Sequence, residues 1–293
     1  MTTSNREKLG ILLGVAAACG FSSTVPMTRL GVTWLEPLFL TAARASIAGF
    51  VALVVLLISR RKLPPRDTWG TFVLTGFCVL VGYPVLLALG LRYVPASHGG
   101  VVLGILPLAV AVLAALLGYE RPSMGFWLAS AAGAAIVIGF MLRHGTGGIG
   151  IGDLMLIGVV ISGATAYTMS GRLSSRMPGW EVITWQLALY LPLSVISALL
   201  LWPADTSAVP VQGWVALLWI SFVGQYFSFI ASNFGMAMAG VARIGQLMLL
   251  QPFIVLLLAI PINGERFDWE TLLFAAAVVG TVMIGQRMRV ARQ

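Results

Sequence analysis

Charge is what this sequence has least of: 10% of its 293 residues are Asp, Glu, Lys or Arg, against about a quarter in ordinary soluble domains. With 59% of its residues hydrophobic, it has no means of building a water-soluble domain. Cysteine is almost missing. Cys19 and Cys78 both sit inside apolar runs, which offers neither a disulfide framework nor metal-ligand spacing, so neither metal nor cofactor is expected. Histidine is limited to His98 and His144, and neither has a second His or a carboxylate at metal-binding helical spacing, which argues against a membrane-embedded enzyme. The net charge of +8 comes without a dense basic stripe interleaved with aromatics, so nucleic acid is not an expected partner.

What the chain has in quantity is uncharged length. A bilayer core about 30 Å thick takes about 20 apolar residues per helical crossing, and a charge at its centre is costly. Intervals between consecutive charges therefore mark the crossings. One lies between each of Lys8 and Arg29, Asp67 and Arg92, Arg92 and Glu120, Arg121 and Arg143, Asp153 and Arg172, Glu181 and Asp205, Arg243 and Glu265, and, at its shortest, Glu270 and Arg287. The interval from Asp205 to Arg243 opens on a loop around Pro210 and holds one crossing over about residues 213–233. The tenth, residues 37–59, is the one with an interior charge, Arg44. The expected fold is an all-α integral membrane protein with ten transmembrane helices.

Ten crossings put both termini on one side. If that side is cytoplasmic, the inner segments carry thirteen basic residues, among them Arg60, Arg61, Lys62 and Arg66, and the outer segments four, Arg29, Arg92, Arg143 and Arg266. By the positive-inside rule both termini are cytoplasmic. The first crossing is expected to be retained. Arg6 and Lys8 precede it and residues 16–19 resemble a lipoprotein cleavage site, but the apolar run continues past Cys19 and exceeds the ~7–15 residues of a signal core.

The chain also repeats itself. At an offset of 145 residues Pro107 meets Pro252, Glu120-Arg121 meets Glu265-Arg266, Ala131-Ala132 meets Ala276-Ala277 and Val137 meets Val282. Two prolines each followed thirteen residues later by Glu-Arg are a repeat signal that apolar matches alone would not be. Five crossings make an odd unit, so equivalent segments run in opposite directions. Such inverted repeats let two halves exchange roles about a midplane site, which points to a secondary transporter.

Residues 93–142 carry a small-residue helix entry, the mid-helix Pro107, the Glu-Arg end after Gly118-Tyr119 and a small-residue span. In the second half Asn263-Gly264 precedes Glu265. This stretch resembles an EamA domain. The resemblance covers nearly the whole chain: a cytoplasmic N-terminus 1–8, a first EamA repeat 9–142, an external linker 143–152, a second EamA repeat 153–287 and a cytoplasmic C-terminus 288–293. It implies the drug/metabolite transporter superfamily and a multi-pass protein of the bacterial inner membrane. Compact loops and Tyr83 in the third crossing make it look most like the YddG-type amino-acid exporters.

Small multidrug members of that superfamily depend on an embedded glutamate, whereas here the first crossing offers Ser22, Ser23 and Thr24. A cation would lack a counter-charge, so a neutral or zwitterionic solute fits better. Amino acids lead; nucleosides, sugars and drug-like amphiphiles are the alternatives. The candidate binding residues are Tyr83, His98, Tyr167, Gln186, Tyr226, Gln246 and Gln251, with Trp185, Gln225 and Asn233 beside them; membrane amides equally serve as links between helices. Pro84, Pro107 and Pro252 are candidate hinges, each freeing a carbonyl one turn earlier. Arg44, about 10 Å along its helix, either snorkels outward or meets a substrate carboxylate from inside the bundle. All ten acidic residues fall at span ends or in loops, so transport is expected to run without an intramembrane carboxylate, with His98 as the one side chain titrating near neutral pH. Small-xxx-small pairs such as Gly100/Gly104 permit close helix packing and leave monomer and homodimer both open.

Overall fold

With no water in the hydrocarbon to satisfy peptide groups, a chain of this composition has to bond its backbone internally, as helix. The computed structural model describes residues 3–117, 123–144 and 149–288, and only the backbone of residues 3, 4, 241 and 242; among these residues no strand occurs. The Glu120-Arg121 pair lies outside them. Among the described residues, ten helices are long and apolar enough to cross a membrane: span 1, Asn5–Trp34; span 2, Pro37–Ser59; span 3, Arg66–Gly90; span 4, Ala96–Leu116; span 5, Met124–His144; span 6, Ile151–Leu173; span 7, Gly179–Leu200; span 8, Val211–Ala239; span 9, Arg243–Asn263; span 10, Trp269–Arg287.

The ends follow local chemistry. Span 2 begins where Pro37 stands at the first helical position and the Glu36 carboxylate accepts the N–H groups of Leu38 and Phe39 at 2.7 and 3.0 Å, a proline-plus-acid start favoured by both sterics and the helix dipole. Span 10 starts at Asp268, which accepts N–H groups from Glu270 and Thr271. The Thr271 hydroxyl, then its N–H, hold the Asp268 carboxyl below the usual carboxylate range. Span 8 runs past the expected end near residue 233 because nothing breaks it before Gly240, which takes φ 93°, a conformation cheap for glycine alone. Span 1 likewise passes Arg29, whose guanidinium donates to the Leu91 carbonyl. Helix also claims residues 143, 144, 151 and 152 of the expected linker.

The packing has the symmetry that the repeat implies. Span 2 lies on span 7, span 4 on span 9 and span 5 on span 10, each helix against its counterpart, while span 1 packs on span 8 as span 6 packs on span 3. The largest buried cluster joins spans 3, 4, 6, 9 and 10 through Leu87, Val101, Leu156, Val255 and Val278. Leu57, Ile58, Leu128, Leu200 and Leu273 point away from the bundle and are exposed, as a surface facing acyl chains should be. Glu7, paired with Arg243, and Met288, bonded to Ser123, lie at one end of the bundle, called here the termini end; Asp205 and Glu265 mark the far end.

Candidate functional site

Two crossings in each repeat are irregular, and at matching positions. Span 4 consists of helices Ala96–Leu103 and Leu106–Leu116, and span 9 of Val241–Met248 and Gln251–Asn263. Pro107 and Pro252 each stand in the first turn of the second piece, where a missing N–H costs nothing. Each of these two candidate hinges stands just after the break in its span. In span 3 a π-helical stretch, Cys78–Gly82, ends with the Tyr83 N–H bonded to the Cys78 carbonyl. In span 8 the stretch Ile220–Phe227 ends with the Ser228 N–H bonded to the Val223 carbonyl, which is the same register shifted by 145. Pro84, buried just after the first bulge, cannot donate the bond that would continue the α-helix. π-bulges recur at functional sites because they rotate the side chains that follow.

These irregular segments surround a cavity of about 440 Å³. Its wall takes Tyr83 from span 3, Pro107 from span 4, Tyr167 from span 6, Gln251 and Pro252 from span 9, and Arg44 from span 2. The cavity extends to Gly245 and Gln286 near the termini end, where both are exposed. Spans 4 and 9 cross closely behind it: a Cβ on Gly100 would lie 2.6 Å from Val255 Cγ1, and one on Gly104 3.0 Å from Pro252 Cγ. Among the described residues, Gln251 Nε2 has only the Met248 sulfur at 3.1 Å, a weak acceptor. Arg44 donates to Gln225 Oε1 and points into the bundle, not outward.

Four of the other candidates lie elsewhere. Tyr226 is buried among Ala48, Leu80, Ile183 and Leu187, with its hydroxyl 3.3 Å from Thr184 Oγ1. Gln186 donates to Thr75 Oγ1 at 2.7 Å and Ser170 Oγ at 3.0 Å; it links spans 3, 6 and 7. Gln246 is exposed beside the cavity-lining Gly245 and outside the wall. His98 is buried near the far end, its Nε2 2.7 Å from Asp153 Oδ1. Asp153 is 2% exposed and its other oxygen accepts the Gly150 N–H at 2.9 Å. The sequence places Asp153 at a span end, where an acid is expected to be solvated. The structure corrects this, because the first turn of span 6 tucks under span 4, and Glu181 is buried in the same manner against Arg61 at 3.1 Å.

The far end is closed by polar contacts between the repeats. The N-terminus of span 4 has no local side-chain cap; its Ala96 and Ser97 N–H groups are accepted by the Glu265 carboxylate at 2.6 and 3.0 Å. A carboxylate on exposed helix-start donors is a favoured pairing, here made from the loop that follows span 9. Asn263 Nδ2 adds a bond to the Pro26 carbonyl at 3.0 Å. Phe21, Phe229, Ser232 and Gln286 also line the cavity. No sequence signal distinguishes these from lipid-facing or packing residues, since each takes its place only when neighbouring helices set the rotation of its own.

Ten crossings in two like repeats around an interior cavity define a multi-pass membrane protein of transporter type. The chain belongs to the EamA-like transporter family, which matches residues 8–142 and 150–285. It is 38% identical over 97% of its length to the uncharacterized transporter YdeK of Bacillus subtilis strain 168, 99% of which is covered. It is 24% identical to the uncharacterized inner membrane transporter YedA of Escherichia coli K12, over 91% of this chain and 88% of that one. A solved crystal structure, 22% identical, superposes with a TM-score of 0.64 over 96% of this chain and 99% of its own, a likeness of fold alone. The names of these relatives indicate transport and assign no solute.

Proposed function

We propose that the protein is a secondary carrier that exports amino acids or related small metabolites across the bacterial inner membrane by alternating access. The observation that carries this reading is the cavity itself. It lies where the broken helices of two oppositely running repeats cross, reaches the termini end and is closed toward the far end by contacts between repeats. That is the arrangement of a carrier facing one side. The inner-membrane placement follows the likeness to the inner membrane transporter YedA, and the excess of basic residues at the termini end supports a cytoplasmic orientation for it.

In proteoliposomes, flux of the transported solute saturates and shows counterflow, stimulated by unlabelled solute on the opposite side. Linear flux without counterflow would identify a channel and sink the carrier reading. Alanine at Tyr83, Tyr167 or Gln251 lowers flux by about tenfold or more with insertion unchanged, whereas Tyr226→Ala, away from the cavity, acts on stability. For orientation, Lys62→Cys and Asp205→Cys are placed in a background lacking Cys19 and Cys78. In intact cells an impermeant thiol reagent labels the second and spares the first; equal labelling of the two would refute the map.

A further inference from the structure

Arg44 is 6% exposed and lines the cavity. A guanidinium carries five N–H donors and stays charged in proteins. Here, among the described residues, it makes one hydrogen bond, from Nη2 to Gln225 Oε1, and its buried Nε has no partner. The amide that holds it is neutral. An embedded cation is normally matched by an acid, and the chain spends its acids elsewhere. Glu7 pairs with Arg243, Asp67 with Arg176, Glu181 with Arg61, Glu270 with Arg143 and Asp153 with His98. Glu36, Asp205, Glu265 and Asp268 accept N–H groups of Leu38, Ser207, Ala96 and Glu270. Only Glu120 lies outside the described residues.

The rest of the wall sharpens the chemistry. Among the described residues, no other charged side chain lines the cavity. Ser22 and Thr24 donate their hydroxyl protons to the Ala18 and Phe21 carbonyls at 2.7 and 2.6 Å. A solute ammonium would find lone pairs and aromatic faces but no carboxylate, and such contacts are weak beside an ion pair. Most of the remaining wall is aliphatic or aromatic, including Leu103, Val110, Met248 and Phe229. Span 7, the counterpart of span 2, has no Arg or Lys, so the cation is not a requirement of packing shared by the two repeats.

We propose that the cavity is a binding site for a small organic carboxylate with an apolar body, and that Arg44, held by Gln225, is the residue that binds the carboxylate. This rests on the carrier reading and moves its solute from zwitterion to monoanion. A guanidinium presents paired N–H donors in a fixed fork that suits a carboxylate, and Arg44, a wall residue, has one such donor bonded to Gln225.

The test separates binding from transport. Purified protein is titrated with four compounds sharing one skeleton, 3-phenylpropionate, L-phenylalanine, phenethylamine and 3-phenylpropionamide, and with acetate and benzoate. Affinity is followed by calorimetry and by the shift in unfolding temperature. At least one carboxylate binds, and 3-phenylpropionate binds tenfold or more tighter than L-phenylalanine, with the amine and amide weaker still. Arg44→Gln loses at least tenfold of the carboxylate affinity, and Arg44→Lys recovers part of it. Equal or tighter binding of the amino acid, binding by none of the carboxylates, or an unchanged affinity in Arg44→Gln overturns the proposal. If Arg44→Gln does not fold, the Lys variant and the wild-type series decide. Carboxylate binding without saturable flux would defeat the carrier reading and leave this site standing; saturable flux of an amino acid indifferent to Arg44→Lys would do the reverse.

Discussion

His98→Leu strips a buried carboxylate of its partner, and the folded protein loses about 3–5 kcal/mol, the usual cost of breaking a buried pair from one side. Asp153 is held at 2.7 Å from the imidazole in a site without access to solvent. Its remaining bond, from the Gly150 N–H, cannot replace a cationic or strongly polar partner. The size of the effect comes from what is left behind, so the double replacement His98→Leu with Asp153→Leu recovers most of it. Unfolding of the detergent-solubilised protein by heat or denaturant measures both. A single replacement that costs less than about 0.5 kcal/mol would show the pair to be hydrated. The same pair bears on coupling: a buried acid beside an imidazole, with Glu265 accepting N–H groups from the first turn of the helix that carries His98, removes the reason to expect transport indifferent to protons. Flux measured with the proton gradient collapsed, in wild type and in the double variant, decides that question.

Gly100→Val is expected to abolish transport with the chain still inserted. Its Cβ would fall 2.6 Å from Val255 Cγ1, and the clash lies where the two broken helices cross. Overpacking of this kind costs about 1–3 kcal/mol in a core. Here it also pries apart the two repeats at the level where the cavity ends, so flux falls more than tenfold even where stability is tolerated. Gly139→Ala is the control. Nothing lies within 4 Å of its added Cβ, and alanine favours the helix by about 1 kcal/mol; normal flux is expected. A Gly100→Val protein transporting at the wild-type rate would mean that spans 4 and 9 do not need this close approach.

Several features were legible because a single strong cost governs them. A charge in hydrocarbon is expensive, so charge spacing locates crossings, and span 2 begins and ends at residues 37 and 59 in both sequence and structure. Proline cannot donate, so Pro107 and Pro252 announce the interrupted helices at the matching places. Burial at a span end has no such marker. Nothing in the sequence around Asp153 distinguishes an acid under a neighbouring helix from one in water, and the same holds for Glu181.

The sequence by itself determined ten crossings, their repeat with opposed directions, and an interior poor in acids, because these depend on composition and order along the chain. Only the tertiary structure decided which polar groups share the cavity. Neighbours in a helix point about 100° apart, and 3.6 residues per turn leave the rotation of each span to be set by its packing partners. Gln225 faces Arg44 and the cavity, while Tyr226, the next residue, faces Leu80 and Leu187. Gly245 lines the wall and Gln246 does not. Whether Arg44 ran outward to the headgroups or inward to a solute was undecidable from spacing. It was settled by span 8, whose π-bulge brings Gln225 to the guanidinium.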